Sequence, residues 1–147
     1  MSSALLPAAV LTSGLYAGFM LTFMIAIMPG LAALPDGQFA SAMRRFNEKV
    51  PGPAFLVLFA GVIGFPAAAL VMEASDRPAI LGALLCVVAG HVLTVAGNIP
   101  LNNALAAAEG GDDSAARTAF ETRWNNLHRI RTVLSLAAFV LLTVAAL

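Results

Sequence analysis

Imidazole moves protons and binds metals, and guanidinium donates hydrogen bonds to negative charge. Both occur here inside apolar stretches, where polar side chains are costly and point to a site or to helix–helix bonding. His91, Thr94, Asn98 and Asn102 are spaced i, i+3, i+7, i+11, which is one face of a helix. Trp124, His128, Arg131 and Ser135 are spaced i, i+4, i+7, i+11, again one face. A third apolar stretch holds Thr12, Tyr16 and Thr22. His91 and Tyr16 fall near the middle of a bilayer. Asn98 lies about 10 Å further toward one surface, at 1.5 Å per residue. His128 and Arg131 fall level with Asn98 to Asn102.

Each set also has a structural reading. His91 alone fits a helix-to-helix hydrogen bond. Arg129 and Arg131 fit anchors that snorkel toward headgroups, and Trp124 fits the aromatic belt. Met20, Met24 and Met28 form a stripe with the spacing of a soft-metal site, yet methionine is also an ordinary gap filler. No tight metal site is expected, because the two histidines differ in depth by roughly 15 Å. No span holds an Asp or Glu near its centre, which argues against proton pumping and cation transport. The sequence has no Cys pair, Gly-rich phosphate loop or nucleophile elbow, and it names no cofactor.

The elements that carry these residues are long uncharged runs. Hydrophobic residues make up 60% and charged residues 11% of 147, with mean hydropathy +0.88. A soluble domain carries roughly 25% charged residues. The expected fold is all-α: an integral membrane four-helix up-down bundle in one domain over 1–147. Spans are expected at about 5–28, 54–73, 78–103 and 127–147. Pro29-Gly30 should end the first and Pro100 should kink the third. Glu73 to Pro78 reads as a tight connection with Pro78 opening a helix, and Ser114 as the cap of the last helix. Phe39, Met43 and Phe46 share one face of a short amphipathic helix in the first connection, expected to lie on the membrane surface. Gly14 and Gly18, and Gly82, Gly90 and Gly97, fit close helix packing.

The N-terminal ten residues carry no Lys or Arg, so the first run reads as a permanent span. Seven of the eight basic residues flank the first and third connections. The positive-inside rule puts that side in the cytoplasm and both termini outside, as in a bacterial inner membrane. Net charge is zero and no dense basic patch exists, so no nucleic-acid partner is implied.

Asn98-Ile99-Pro100-Leu101-Asn102, followed by Trp124-Asn125-Asn126-Leu127-His128-Arg129-Ile130-Arg131-Thr132, resembles the anthrone-oxygenase-like family of small four-helix membrane proteins. The resemblance covers essentially the whole chain. It implies oxidation of an anthrone to an anthraquinone by dioxygen without an obvious organic cofactor, although most bacterial relatives have no assigned activity. In that chemistry a base removes a proton from an acidic methylene, and the anion reacts with oxygen. His128 would be the base and Arg131 would stabilise the oxyanion. Asn98 and Asn102 would orient the substrate, with Trp124, Tyr16 and His91 as further contacts.

The residues are compatible with three function classes. The chain is an oxygenase, cofactor-independent or metal-assisted, acting on an aromatic or other lipophilic small molecule. Or it is an accessory subunit in a larger membrane complex or a homo-oligomer. Or it binds a lipid, quinone or haem, with His91 as axial ligand and Tyr16 nearby. Membrane lipids are partners in every case.

Overall fold

The structure, a computed structural model, describes residues 4–72 and 76–147, and among them there are helices and turns but no strand. Helix α1 spans Leu5–Ala32, α2 Asp36–Lys49, α3 Pro53–Met72, α4 Arg77–Ala107 and α5 Asp113–Ala146. All but α2 are long and apolar enough to cross a bilayer. The chain is therefore an all-α integral membrane protein.

The four long helices close a ring. α1 packs on α3 and α5, and α4 packs on α3 and α5. The α4–α5 seam is the most extensive. It is lined by the glycines of α4: a Cβ on Gly82, Gly90 or Gly97 would meet Leu141, Arg131 or Leu127 of α5. Without side chains there, the two backbones approach closely, as small residues permit in lipid. On α1, Gly14 faces Phe139 of α5, while Gly18 faces open space.

Several boundaries depart from those expected on sequence. α1 does not stop at Pro29-Gly30. A π turn at Phe23–Ile27 precedes them, with the Met28 N–H donating to the Phe23 carbonyl, and the helix runs on to Ala32. α4 repeats the device: a π turn at Thr94–Asn98, with the Ile99 N–H on the Thr94 carbonyl, precedes Pro100. Proline has no N–H to give to the preceding turn, and a widened turn absorbs the mismatch. The cap of α5 is Asp112, not Ser114; its carboxylate accepts from the N–H groups of Ser114 (2.9 Å) and Ala115 (3.2 Å). Of the connection expected at Glu73 to Pro78, residues 73–75 lie outside the described residues. Asp76 caps α4 through the Ala79 N–H at 3.3 Å, and Pro78 sits in the first turn.

α2 is amphipathic as expected, but its apolar face covers the end of the bundle instead of lying on lipid. Phe39 and Met43 are fully buried against α4 and α5. Two arginines tie this cap down. Arg44 of α2 donates to the Leu105 carbonyl at the end of α4 and to Asp113 at the start of α5, both at 2.9 Å. Arg117 of α5 donates to the Leu34 carbonyl (2.8 Å) and the Ala32 carbonyl (2.9 Å) at the end of α1, and to Asp36 of α2 (3.1 Å). Guanidinium groups thus serve the last carbonyls of both helices, which have no partners within the helix.

The buried interior has two apolar clusters. One, around Val62, Ile80, Ala83, Ala138 and Leu142, fills the half of the bundle away from α2. The other, around Phe23, Phe39, Met43, Leu105, Phe120 and Trp124, lies under α2. A polar layer of Thr94, Asn98, His128, Arg131, Thr132 and Ser135 is buried with them.

The seam makes a testable demand. A Cβ on Gly97 would stand 2.7 Å from Leu127 Cδ1. Gly97→Val should cost about 1–3 kcal/mol by overpacking, read as a lower unfolding midpoint in detergent. An unchanged midpoint would mean that α4 and α5 are not in such close contact.

Candidate functional site

The polar layer borders a cavity of about 160 Å³ beneath α2. That is close to the ~150 Å³ that admits benzene in an apolar protein cavity. Its walls are mostly apolar and aromatic: Phe19, Met20 and Phe23 from α1, Met43 and Phe46 from α2, and Phe55, Leu56 and Phe59 from α3. α4 contributes Thr94, Ile99 and Asn102, and α5 contributes Trp124, His128 and Arg131. An apolar chamber with a few converging polar groups is the usual form of a small-molecule site.

His128 is 1% exposed. Its Nε2 lies 2.9 Å from the Met20 carbonyl, which can only accept, so Nε2 carries the proton. Its Nδ1 accepts from Arg131 Nε at 3.1 Å. Both ring nitrogens are engaged, and the partners fix the tautomer. Trp124 stacks on the ring, with centroids 4.8 Å apart and planes 15° apart.

Arg131 does not snorkel; it is 8% exposed and turned inward, whereas Arg129 is exposed. Its Nη1 donates to Thr94 Oγ1 at 3.1 Å, and its guanidinium lies 5.3 Å from the Trp124 ring centre. Thr94 donates in turn to the Gly90 carbonyl at 2.9 Å. Among the described residues, every ion pair belongs to another basic side chain, so Arg131 has no carboxylate partner. A buried charge is ordinarily paired. Here the partners among the described residues are the neutral acceptors His128 and Thr94.

The asparagines hold Trp124. Asn98 Nδ2 donates to the Trp124 carbonyl at 3.3 Å, and the indole N–H donates to Asn102 Oδ1 at 2.9 Å. Asn102 also lines the cavity; Asn98 does not. Trp124 is 3% exposed and is no belt residue.

His91 and Tyr16 are not brought to the cavity wall. His91 stacks on Phe59 at 3.8 Å, with Nδ1 2.9 Å from the Val87 carbonyl and Nε2 2.8 Å from the Phe59 carbonyl. With both nitrogens against carbonyls, a haem iron would have to displace one of these contacts. Tyr16 packs 6.0 Å from His91, among Phe55 and Phe59. Among the described residues no group of three His, Cys, Asp or Glu side chains gathers.

The walls supplied by α2 and α3 were not foreseen from sequence. Asn47 of α2 also lines the cavity, and its Nδ2 is buried without a partner among the described residues. The amphipathic face of Phe39, Met43 and Phe46 was the available signal. The short Pro51-Gly52-Pro53 link, which brings α3 back beside α2, was another.

Trp124 is the sole tryptophan, so its emission reports on this cluster. Asn102→Leu should shift the emission to shorter wavelength by removing the indole's acceptor. An unshifted spectrum would deny the Asn102–Trp124 bond.

No curated protein and no solved structure matches the chain. A family model described as anthrone oxygenase matches residues 39–141. That interval holds most of α2, all of α3 and α4 and most of α5, and with them every cavity wall except the one from α1. The chain belongs to the anthrone oxygenase family.

Proposed function

We propose that the protein is a membrane-embedded oxygenase that takes a lipophilic aromatic molecule with an acidic, anthrone-like methylene and oxidises it with dioxygen. The observation that carries this reading is Arg131: a buried guanidinium on the wall of an aromatic chamber, with no carboxylate among the described residues to neutralise it. A substrate whose oxygen becomes anionic during the reaction supplies the missing charge. Stabilisation is then strongest after the proton has left, as catalysis requires.

The steps balance with dioxygen as the oxidant. The methylene gives its proton to a base, and the negative charge spreads onto the substrate's conjugated carbonyl oxygen, held by Arg131. The anion passes electrons to dioxygen and forms a C–O bond. The base returns the proton to the terminal oxygen, giving a hydroperoxide. Loss of water then leaves the new carbonyl.

His128 is the proposed base, with one condition from the geometry. Its Nδ1 lone pair is held by Arg131, so it becomes basic toward substrate only when the guanidinium turns to the substrate oxygen. Trp124 and Phe23 supply flat walls for the rings, and Asn102 fixes Trp124.

We also infer that the α2 end faces the cytoplasm of a bacterial inner membrane. Arg44, Arg117 and Arg131 are spent on internal contacts. The exposed basic residues Arg45, Lys49, Arg123 and Arg129 still lie toward that end, against Arg77 at the other. A reporter fused to the C-terminus should be active on the outer side; activity inside would reverse the orientation.

Oxygen uptake with anthrone in proteoliposomes tests the reaction. Arg131→Gln should lower kcat by about 10²–10³-fold, the usual loss of an oxyanion donor. His128→Ala should fall at least as far as a lost general base, about 10²–10⁴-fold. His128→Asn keeps an acceptor near Nδ1 but no base, and should fall with the alanine variant. Near-normal rates in His128→Asn would make His128 a positioning residue for Arg131. Unchanged rates in all three would remove the pair from the mechanism.

A further inference from the structure

The chamber is not closed on all sides. The first half of α4 packs on α3, but from the π turn at Thr94–Asn98 onward α4 turns to α5 and α2 and has no substantial packing with α3 among the described residues. A gap remains between the start of α3 and the end of α4. Leu56 and Ile99 flank it. Both line the cavity, yet Leu56 is 51% and Ile99 41% exposed, so each side chain spans from the chamber to the outside. Pro51 completes an uncharged rim.

Both flanking residues belong to helices long and apolar enough to cross a bilayer. Leu56 is one turn inside α3, and Ile99 is about 12 Å before the end of α4, at 1.5 Å per residue. The neighbouring Val57 and Val95 are also apolar and turned outward, 71% and 58% exposed.

We propose that this gap is a lateral window through which the substrate of the proposed reaction passes from the bilayer into the chamber. The proposal rests on that functional reading for the identity of the occupant: a flat, lipid-soluble aromatic with a weakly acidic group. Charge complementarity supports it. The uncharged rim admits the neutral form from hydrocarbon, and Arg131 at the inner end receives the oxygen that turns anionic. The chamber has room for about one aromatic ring by the benzene comparison, so the other rings of a fused system lie in the window. The window therefore selects for shape as well as for lipid solubility.

The test uses Trp124, the sole tryptophan, on the chamber wall. The full chain is reconstituted in phosphatidylcholine vesicles and mixed rapidly with 4-bromophenol, a lipid-soluble weak acid whose bromine quenches indole emission. Wild-type Trp124 should be quenched. The double variant Leu56→Phe with Ile99→Phe should be quenched about ten-fold more slowly, the effect of ~1.4 kcal/mol of added barrier. Val133→Phe, equally lipid-facing on α5 (61% exposed) but away from the gap, should match wild type. Each single substitution should give an intermediate rate, which keeps the test open if the double variant misfolds. An undiminished rate in the narrowed variants, or no quenching in wild type, overturns the window. Oxygen uptake is not read here. Failure of anthrone turnover would remove the proposed reaction and leave the window standing.

Discussion

Hydrocarbon cannot replace a backbone hydrogen bond, and this chain nevertheless places prolines inside its spans. Pro29 in α1 and Pro100 in α4 each come just after a π turn. The wide turn lets the backbone bond one residue further back and carry on as a helix. The consequences reach most of the molecule. Phe23 and Thr94 open the two π turns and both face the cavity. Beyond its turn, α4 leaves α3 and joins α2 and α5. The cavity exists because the helices part at that level.

The chamber is held on its polar side by side-chain hydrogen bonds and on its apolar side by a tethered helix. Hydroxyls in the polar layer answer backbone carbonyls: Thr132 donates to His128, and Ser135 to Arg131, both at 2.7 Å. Asn98 and Asn102 grip Trp124, Trp124 stacks on His128, and His128 and Thr94 hold Arg131. A chain of charged and aromatic groups is thereby set in one arrangement, as a preorganised site requires. The opposite wall comes from α2, which is fastened at both ends by Arg44 and Arg117. Those two arginines lie on different helices and bind across to each other's helix, so the cap and the start of α5 are held as one unit.

The four spans and the amphipathic helix were legible because uncharged runs and a 3.6-residue apolar stripe leave few alternatives in lipid. The shared face of α5 was legible too. It is an unbroken helix, so Trp124, His128 and Arg131 share a face as their spacing implies. On α4 the same reasoning failed. The spacing of His91, Thr94, Asn98 and Asn102 assumes a regular helix. The π turn adds a residue and rotates the remainder of α4 by about 100°. His91 therefore faces Phe59 of α3, while Asn98 and Asn102 face Trp124 of α5. A proline follows each π turn, but Pro66 stands in the regular helix α3, so proline alone does not mark one. The snorkelling reading of Arg131 failed for another reason. An arginine near a span's end ordinarily reaches for headgroups, and only the tertiary arrangement reveals that His128 and Thr94 turn it inward.

The proposed window between Leu56 and Ile99 gives the proposed reaction a kinetic meaning. A chamber whose mouth lies in the acyl region takes its reactants from the membrane phase, and dioxygen, like an aromatic ketone, is more soluble in hydrocarbon than in water. The relevant concentrations are then amounts per volume of lipid, not per volume of solution. Adding empty vesicles at constant total substrate would slow such an enzyme by surface dilution, and membranes rich in lipophilic metabolites would load it without any rise in the aqueous pool.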